Sequence, residues 1–158
     1  MFREMRRKKQ QLTTEECVEI LKQEPRGILS MLGDDGYPYG IPMTHWYCEE
    51  NGHLYFHGAK EGRKIDLIKK TTSVGFELDT NYRLEKGNIA CEYTAGFQSI
   101  IGTGEICLIE EKEEKKAALQ AIMEHYTQKK DWKFSEQSLS SVAVFKLEVK
   151  ELSCKEHL

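Results

Sequence analysis

The sequence predicts an α+β protein, mainly β, in which about six strands form a small antiparallel barrel flanked by helices. Three observations carry this. Short apolar runs follow one another through hairpin-type turns, Asp35-Gly36 and Asn51-Gly52. Helical patterns occur at the front and late in the chain instead of alternating regularly with strands, which disfavours a doubly wound sheet. No internal repeat, low-complexity tract or long linker divides the 158 residues, so a single domain over 1–158 is expected.

Taken in order, Thr13-Thr14-Glu15-Glu16 is a capping box, and Cys17, Ile20, Leu21 and Glu24 continue it at helical spacing until Pro25 stops the helix. Gly27 to Leu32 reads as a strand, Gly33 to Gly36 as a turn, and Tyr37 to Tyr47 as the return strand. Pro38 and Pro42 each remove a ladder donor, which places that strand on an edge or makes it bulged. After Asn51-Gly52 come a strand at Leu54-Tyr55-Phe56 and a helix over Ile65–Lys70. Strands are expected at Ser73–Leu78, Ile89–Thr94 and Phe97–Glu110. Lys112–Lys129 is the clearest helix, with Leu119, Ile122, Met123 and Tyr126 on one stripe that suits a core-facing surface. Its charged approach, Glu110 to Lys116, reads as a solvated start with Glu before Lys, as the helix dipole prefers. Alternation over Val142–Val149 gives a final half-buried strand.

The stretch from His53 to Lys64 carries the chemistry. A strand ends at a loop bracketed by Gly58 and Gly62, and Arg63-Lys64 open the following helix. A helix start offers unpaired N–H groups and positive dipole density, and Lys60, Arg63 and Lys64 add charged donors, so the pattern suits a phosphate. It is not a Walker loop: three residues separate the glycines, and Ile65 follows Lys64. On spacing alone, an ordinary turn with a basic helix start fits equally well.

Composition bounds the rest. Hydrophobic content of 39% and charged content of 31% are ordinary for a globular protein, and a net charge of −3 argues against generic nucleic-acid binding. Arg3, Arg6, Arg7, Lys8 and Lys9 crowd the N-terminus, but no apolar run follows, so neither a signal peptide nor a membrane anchor is expected. Five scattered cysteines without a CxxC pair suit reduced thiols in the cytoplasm. His53 and His57 share a strand face but stand roughly 13 Å apart, and His45 with Cys48 is too few, so no metal site is expected.

Arg26-Gly-Ile-Leu-Ser30, Gly36-Tyr-Pro-Tyr-Gly-Ile-Pro-Met43, Leu54-Tyr-Phe-His-Gly-Ala59 with Gly62-Arg63-Lys64, and Phe97-Gln-Ser-Ile-Ile-Gly-Thr-Gly104 occur in that order. This order resembles the pyridoxamine-phosphate-oxidase-like flavoproteins, and within them the nitroimidazole-resistance branch, over nearly the whole chain. The resemblance implies a split β-barrel with FMN bound at a homodimer interface. It assigns Gly58, Gly62, Arg63 and Lys64 to the phosphate turn, and Ile41, Pro42, Met43 and Thr44 to the strand whose backbone flanks the isoalloxazine. Gln98 and Ser99 match the strand that reaches the flavin of the partner chain, and His57 falls where that branch carries a histidine near the ring, a catalytic candidate. From the residues alone, His57 stays open between catalysis and a core hydrogen bond. Two departures stand out. The C-terminal Arg/His segment of true pyridoxamine phosphate oxidases is absent, and no arginine lies between Gly40 and His45.

The expected function is therefore an FMN-dependent oxidoreductase that passes electrons from NADH or NADPH to a small planar acceptor such as a nitro-aromatic. Its rivals are a flavin carrier or sensor without turnover, and an anion- or nucleic-acid-binding barrel using the basic arm. The net charge opposes the last and no apolar run suits a membrane, so neither nucleic acid nor membrane is an expected partner.

Overall fold

In the computed structural model, residues 2–157 are described; Met1 and Leu158, the two ends of the domain expected over 1–158, lie outside the described residues. Helix α1 (Thr14–Gln23) opens on the expected capping box: Glu16 N donates to Thr13 Oγ1 at 3.2 Å, and Thr13 N donates to the Glu16 carboxylate at 2.8 Å. Strands β1 (Arg26–Leu32) and β2 (Pro38–Thr44) pair antiparallel around the Asp-Gly turn, from Arg26↔Thr44 to Leu32↔Pro38. Strands β3 (Trp46–Cys48) and β4 (His53–Ala59) pair around Asn51-Gly52. The return strand expected over Tyr37–Tyr47 is thus broken at His45, whose N–H donates to Pro25 O at 3.0 Å instead of to a neighbouring strand. There follow α2 (Arg63–Lys70), β5 (Ser73–Glu85), β6 (Thr94–Leu108), α3 (Lys112–Thr127), α4 (Glu136–Ser141) and β7 (Val142–His157).

Seven strands, one more than expected, form one antiparallel sheet in the order β2-β1-β5-β6-β7-β4-β3. β2 and β4 lie against one another with no ladder between them among the described residues, so the sheet curls into a barrel split along that seam. Pro38 and Pro42 sit in β2, an edge strand, as their missing donors require.

The expected strand at Ile89–Thr94 does not form. β5 runs on to Glu85 and pairs with β6 up to Glu85↔Thr94, which leaves Ile89 and its neighbours in the connecting loop, with a single 3-10 turn at Ala90–Glu92. Ile89 is 56% exposed there. β7 likewise continues past Val149 to His157, pairing with β4 at its start and β6 along most of its length.

The barrel interior holds Leu29, Phe56, Ile100, Phe145 and Leu147, with Phe56 and Phe145 stacked at 5.5 Å between ring centroids. Each such side chain contributes about 1.5–3 kcal/mol by leaving water. A second cluster lies outside the barrel, where Ala118, Leu119 and Ile122 of α3 cover Tyr55 and Val144. The α3 stripe is therefore core-facing, as its periodicity predicts. Its charged start is not wholly solvated, however. Lys115 stands three and four residues before Ala118 and Leu119, hence on the same face, and it is buried.

The expectation of five reduced thiols is also corrected. α1 and β7 bring Cys17 and Cys154 to a Cα–Cα distance of 5.8 Å, and the two form a disulfide across 137 residues. Cys48, Cys91 and Cys107 are free. Among the described residues, no helix is long and apolar enough to cross a membrane.

Candidate functional site

The turn expected to seat a phosphate forms as its residues dictate. Gly62 is the N-cap of α2 with φ +133°, a backbone conformation that side-chain-bearing residues rarely adopt. No side chain caps this helix, and the first N–H groups returned to Gly62 O are those of Ile65 and Asp66. The N–H groups of Arg63 and Lys64 are thereby left for an incoming acceptor. Gly58 serves a different purpose. A Cβ at residue 58 would lie 3.1 Å from Lys64 Nζ and 3.2 Å from its Cε, so the glycine lets the lysine fold back over the turn. Lys64 forms no ion pair among the described residues. Gly58, Gly62, Arg63 and Lys64 are thus brought together.

Arg63 is engaged by residues that the sequence does not mark. Its guanidinium donates to Asp34 Oδ1 at 3.1 Å, stands 3.3 Å from Asp35 Oδ2, and lies 4.5 Å from the centroid of the Tyr39 ring. The N–H of Tyr37, and then Arg63, hold the Asp35 carboxyl below its ordinary range. Arg63 therefore spans the seam between α2 and the β1–β2 hairpin. The one signal for this was the turn itself, which projects two acidic residues beyond the β1–β2 pair.

In β2, Ile41 and Met43 face the barrel core, while Pro42 and Thr44 face outward. Thr44 Oγ1 accepts from Arg26 Nη1 at 3.1 Å. The cation that β2 itself lacks is supplied from β1, and the Arg26↔Thr44 register of the hairpin puts it there. His57 is exposed on the face opposite the buried Phe56 and its imidazole makes no hydrogen bond among the described residues, so it is not a satisfied core histidine. The buried histidine is His45 instead. Its Nε2 meets Leu21 O at 3.0 Å, its Nδ1 has no partner, and burial pushes its pKa down. The Tyr126 hydroxyl donates to His45 O, closing α3 over this corner.

Gln98 and Ser99 are not part of this constellation within one chain. Gln98 is engaged on both sides, accepting from Asn81 Nδ2 and donating to Glu156, each at 2.7 Å. Ser99 pairs with Lys155, near one end of β7, whereas Gly58 pairs with Ala143 at the other. At about 3.3 Å per residue, those points lie too far apart along the strand for one small ligand. Lys60 does not share a cavity with Arg63 or Lys64. It lines a separate cavity with Lys69 and Lys115.

With this geometry in hand, comparison with known proteins is informative. The profile of a family described as pyridoxamine 5'-phosphate oxidase matches residues 13–156. The chain belongs to that family. Among solved structures it is similar to a candidate 5-nitroimidazole antibiotic resistance protein from Bacteroides thetaiotaomicron, at 26% identity and a TM-score of 0.79, over 92% of this chain and 86% of that one. The flavocytochrome Anf3 from Azotobacter vinelandii shares the fold at 19% identity and a TM-score of 0.83, over 98% of this chain and 72% of that one. A FAD-binding protein from Mesorhizobium loti shares it at 22% identity and a TM-score of 0.66, over 94% and 97%. No curated protein is a significant match. The split-barrel fold expected of the family member is thus the one observed, and flavin-binding proteins are among those that share it.

Proposed function

We propose that this family member is an FMN-dependent oxidoreductase that takes electrons from NADH or NADPH and passes them to a small planar acceptor such as a nitro-aromatic. The observation that carries the reading is the uncapped start of α2, with the unpaired Lys64 ammonium folded over Gly58. A phosphate monoester satisfies both the free N–H groups and the charge. Support for the acceptor class comes from the likeness to the candidate nitroimidazole-resistance protein.

When bound, FMN supplies the hydride chemistry; the protein supplies position and protons. Lys64 and the α2 N–H groups hold the phosphate, and the Ile41–Thr44 backbone, with Arg26 beside Thr44, offers a polar edge to the ring. His57 presents a solvent-facing imidazole one residue before the phosphate turn, suited to deliver a proton to the acceptor. Ser99 serves the site of a second copy, which makes the working unit a homodimer. Ile101, 53% exposed on the outer face of β6, fits burial in that contact.

The test is spectroscopic. Purified protein should carry a flavin spectrum that reduced nicotinamide bleaches and a nitro-aromatic restores. His57→Ala should keep FMN and slow the second half-reaction more than the first. Flavin that neither NADH nor NADPH reduces would instead make the protein a carrier, and loss of flavin from His57→Ala would make that residue structural.

A further inference from the structure

Lys115 is the only Lys, Arg, Asp or Glu buried among the described residues, at 9% exposure. Its ammonium forms neither a hydrogen bond nor an ion pair among the described residues. Other lysines of this chain with acids in reach do pair, as Lys112 does with Glu136 and Lys146 with Glu114. Lys115 instead lines a cavity of about 340 Å³ together with Lys60 from the Gly58–Gly62 loop and Lys69 from α2, both also unpaired. Glu110 is the one acid on the wall, and it pairs with none of the three. The remaining lining is aliphatic, including Ile65, Ile109, Val142 and Val144. Arg63 and Lys64 do not line this cavity, which borders the turn through Lys60 and Ile65.

We propose that this cavity is a second ligand site, which takes a small organic oxyanion: a phosphate monoester or carboxylate head among the three ammonium groups and a short apolar body against the aliphatic wall. A lysine covered to this degree, with no acid on its ammonium, keeps less hydration than a surface lysine and so costs free energy. Three like charges around one space raise that cost, and burial followed by the nearby Lys60 lowers the pKa of Lys115 accordingly. An oxyanion removes the penalty for all three at once. A volume at the low end of ligand cavities restricts the body to a short chain. The site does not depend on the flavin reading: Lys60 comes from the neighbouring loop, but Lys115, on which the argument turns, comes from α3.

Calorimetric titration of the full chain, with and without FMN, tests it with three probes: hexyl phosphate, hexanoate and inorganic phosphate. One or both amphipathic probes should bind saturably, at least tenfold tighter than inorganic phosphate, and their ranking identifies the head group. Lys115→Met should weaken that binding at least tenfold while leaving FMN affinity unchanged, and should raise the melting temperature of the unliganded chain. Should Lys115→Met fail to fold, the exposed pair Lys60→Gln with Lys69→Gln should show the same loss. Absence of saturable binding by either amphipathic probe overturns the proposal. So does unchanged affinity in these variants, and so does displacement of bound FMN, which would make the cavity part of the flavin seat.

Discussion

Lys64 and Arg63 stand side by side in sequence, but in the proposed phosphate site their surroundings predict unequal shares. Lys64 has no competing carboxylate, so replacing its ammonium removes one charge-assisted contact, worth about 1.5–3 kcal/mol. At about 1.4 kcal/mol per tenfold, Lys64→Met should weaken FMN by roughly 10- to 150-fold. Riboflavin, which lacks the phosphate, should change less than about twofold. Arg63 is shared with Asp34 and Asp35 in exposed, solvent-screened pairs. Releasing it through Asp34→Asn with Asp35→Asn should therefore tighten FMN modestly, and the gain should shrink as salt screens the phosphate. Fluorescence quenching of each flavin on titration with protein reads both effects. Equal losses of FMN and riboflavin in Lys64→Met, or weaker FMN binding after the two aspartates are neutralised, would refute the assignment of the phosphate to this turn.

Three further outcomes follow from the same structure. Gly62→Ala forces a side chain onto φ +133° and should cost about 1–3 kcal/mol in urea unfolding, with loss of FMN greater than that of riboflavin. Thiol titration of the denatured, unreduced chain should count the free cysteines Cys48, Cys91 and Cys107 and miss Cys17 and Cys154; Cys17→Ser should lower stability by about 2–5 kcal/mol. The Glu111 carboxyl, which accepts from Glu114 N and Glu113 N at the start of α3, is held below its ordinary value. Its contribution is present above the ordinary glutamate range and is lost as pH falls through the lowered value. Glu111→Gln should accordingly flatten the acid side of melting temperature against pH, and an unchanged acid side would remove that role.

Much of the fold was legible because its signals are local. The capping box at Thr13, the turns at Asp35-Gly36 and Asn51-Gly52, and the α3 stripe each depend on neighbours within a few residues, and each forms as read. The second half of β5 was not legible, because Asp79 to Glu85 is mostly polar, its Tyr82 and Leu84 are exposed, and only its pairing with β6 makes it a strand. The Ile89–Thr94 run misled for the converse reason: its apolar residues are exposed at a loop. At the candidate site, the glycines and cations of the turn were readable as a motif. The hold of Asp34 and Asp35 on Arg63, the placing of Arg26 beside Thr44, and the burial of Lys115 all arise from contacts between elements far apart in sequence.

The place of β7 has a consequence for synthesis of the chain. It follows every other strand in sequence, yet in the sheet it lies between β6 and β4. Until it emerges from the ribosome, the β3–β4 hairpin has no ladder to the four strands already made, β1, β2, β5 and β6. Gly58 and Ala59 then lack Ala143 and Val142 beside them. The turn proposed to grip the cofactor is therefore translated early and seated late, so a nascent chain lacking β7 should not retain flavin however long it is given.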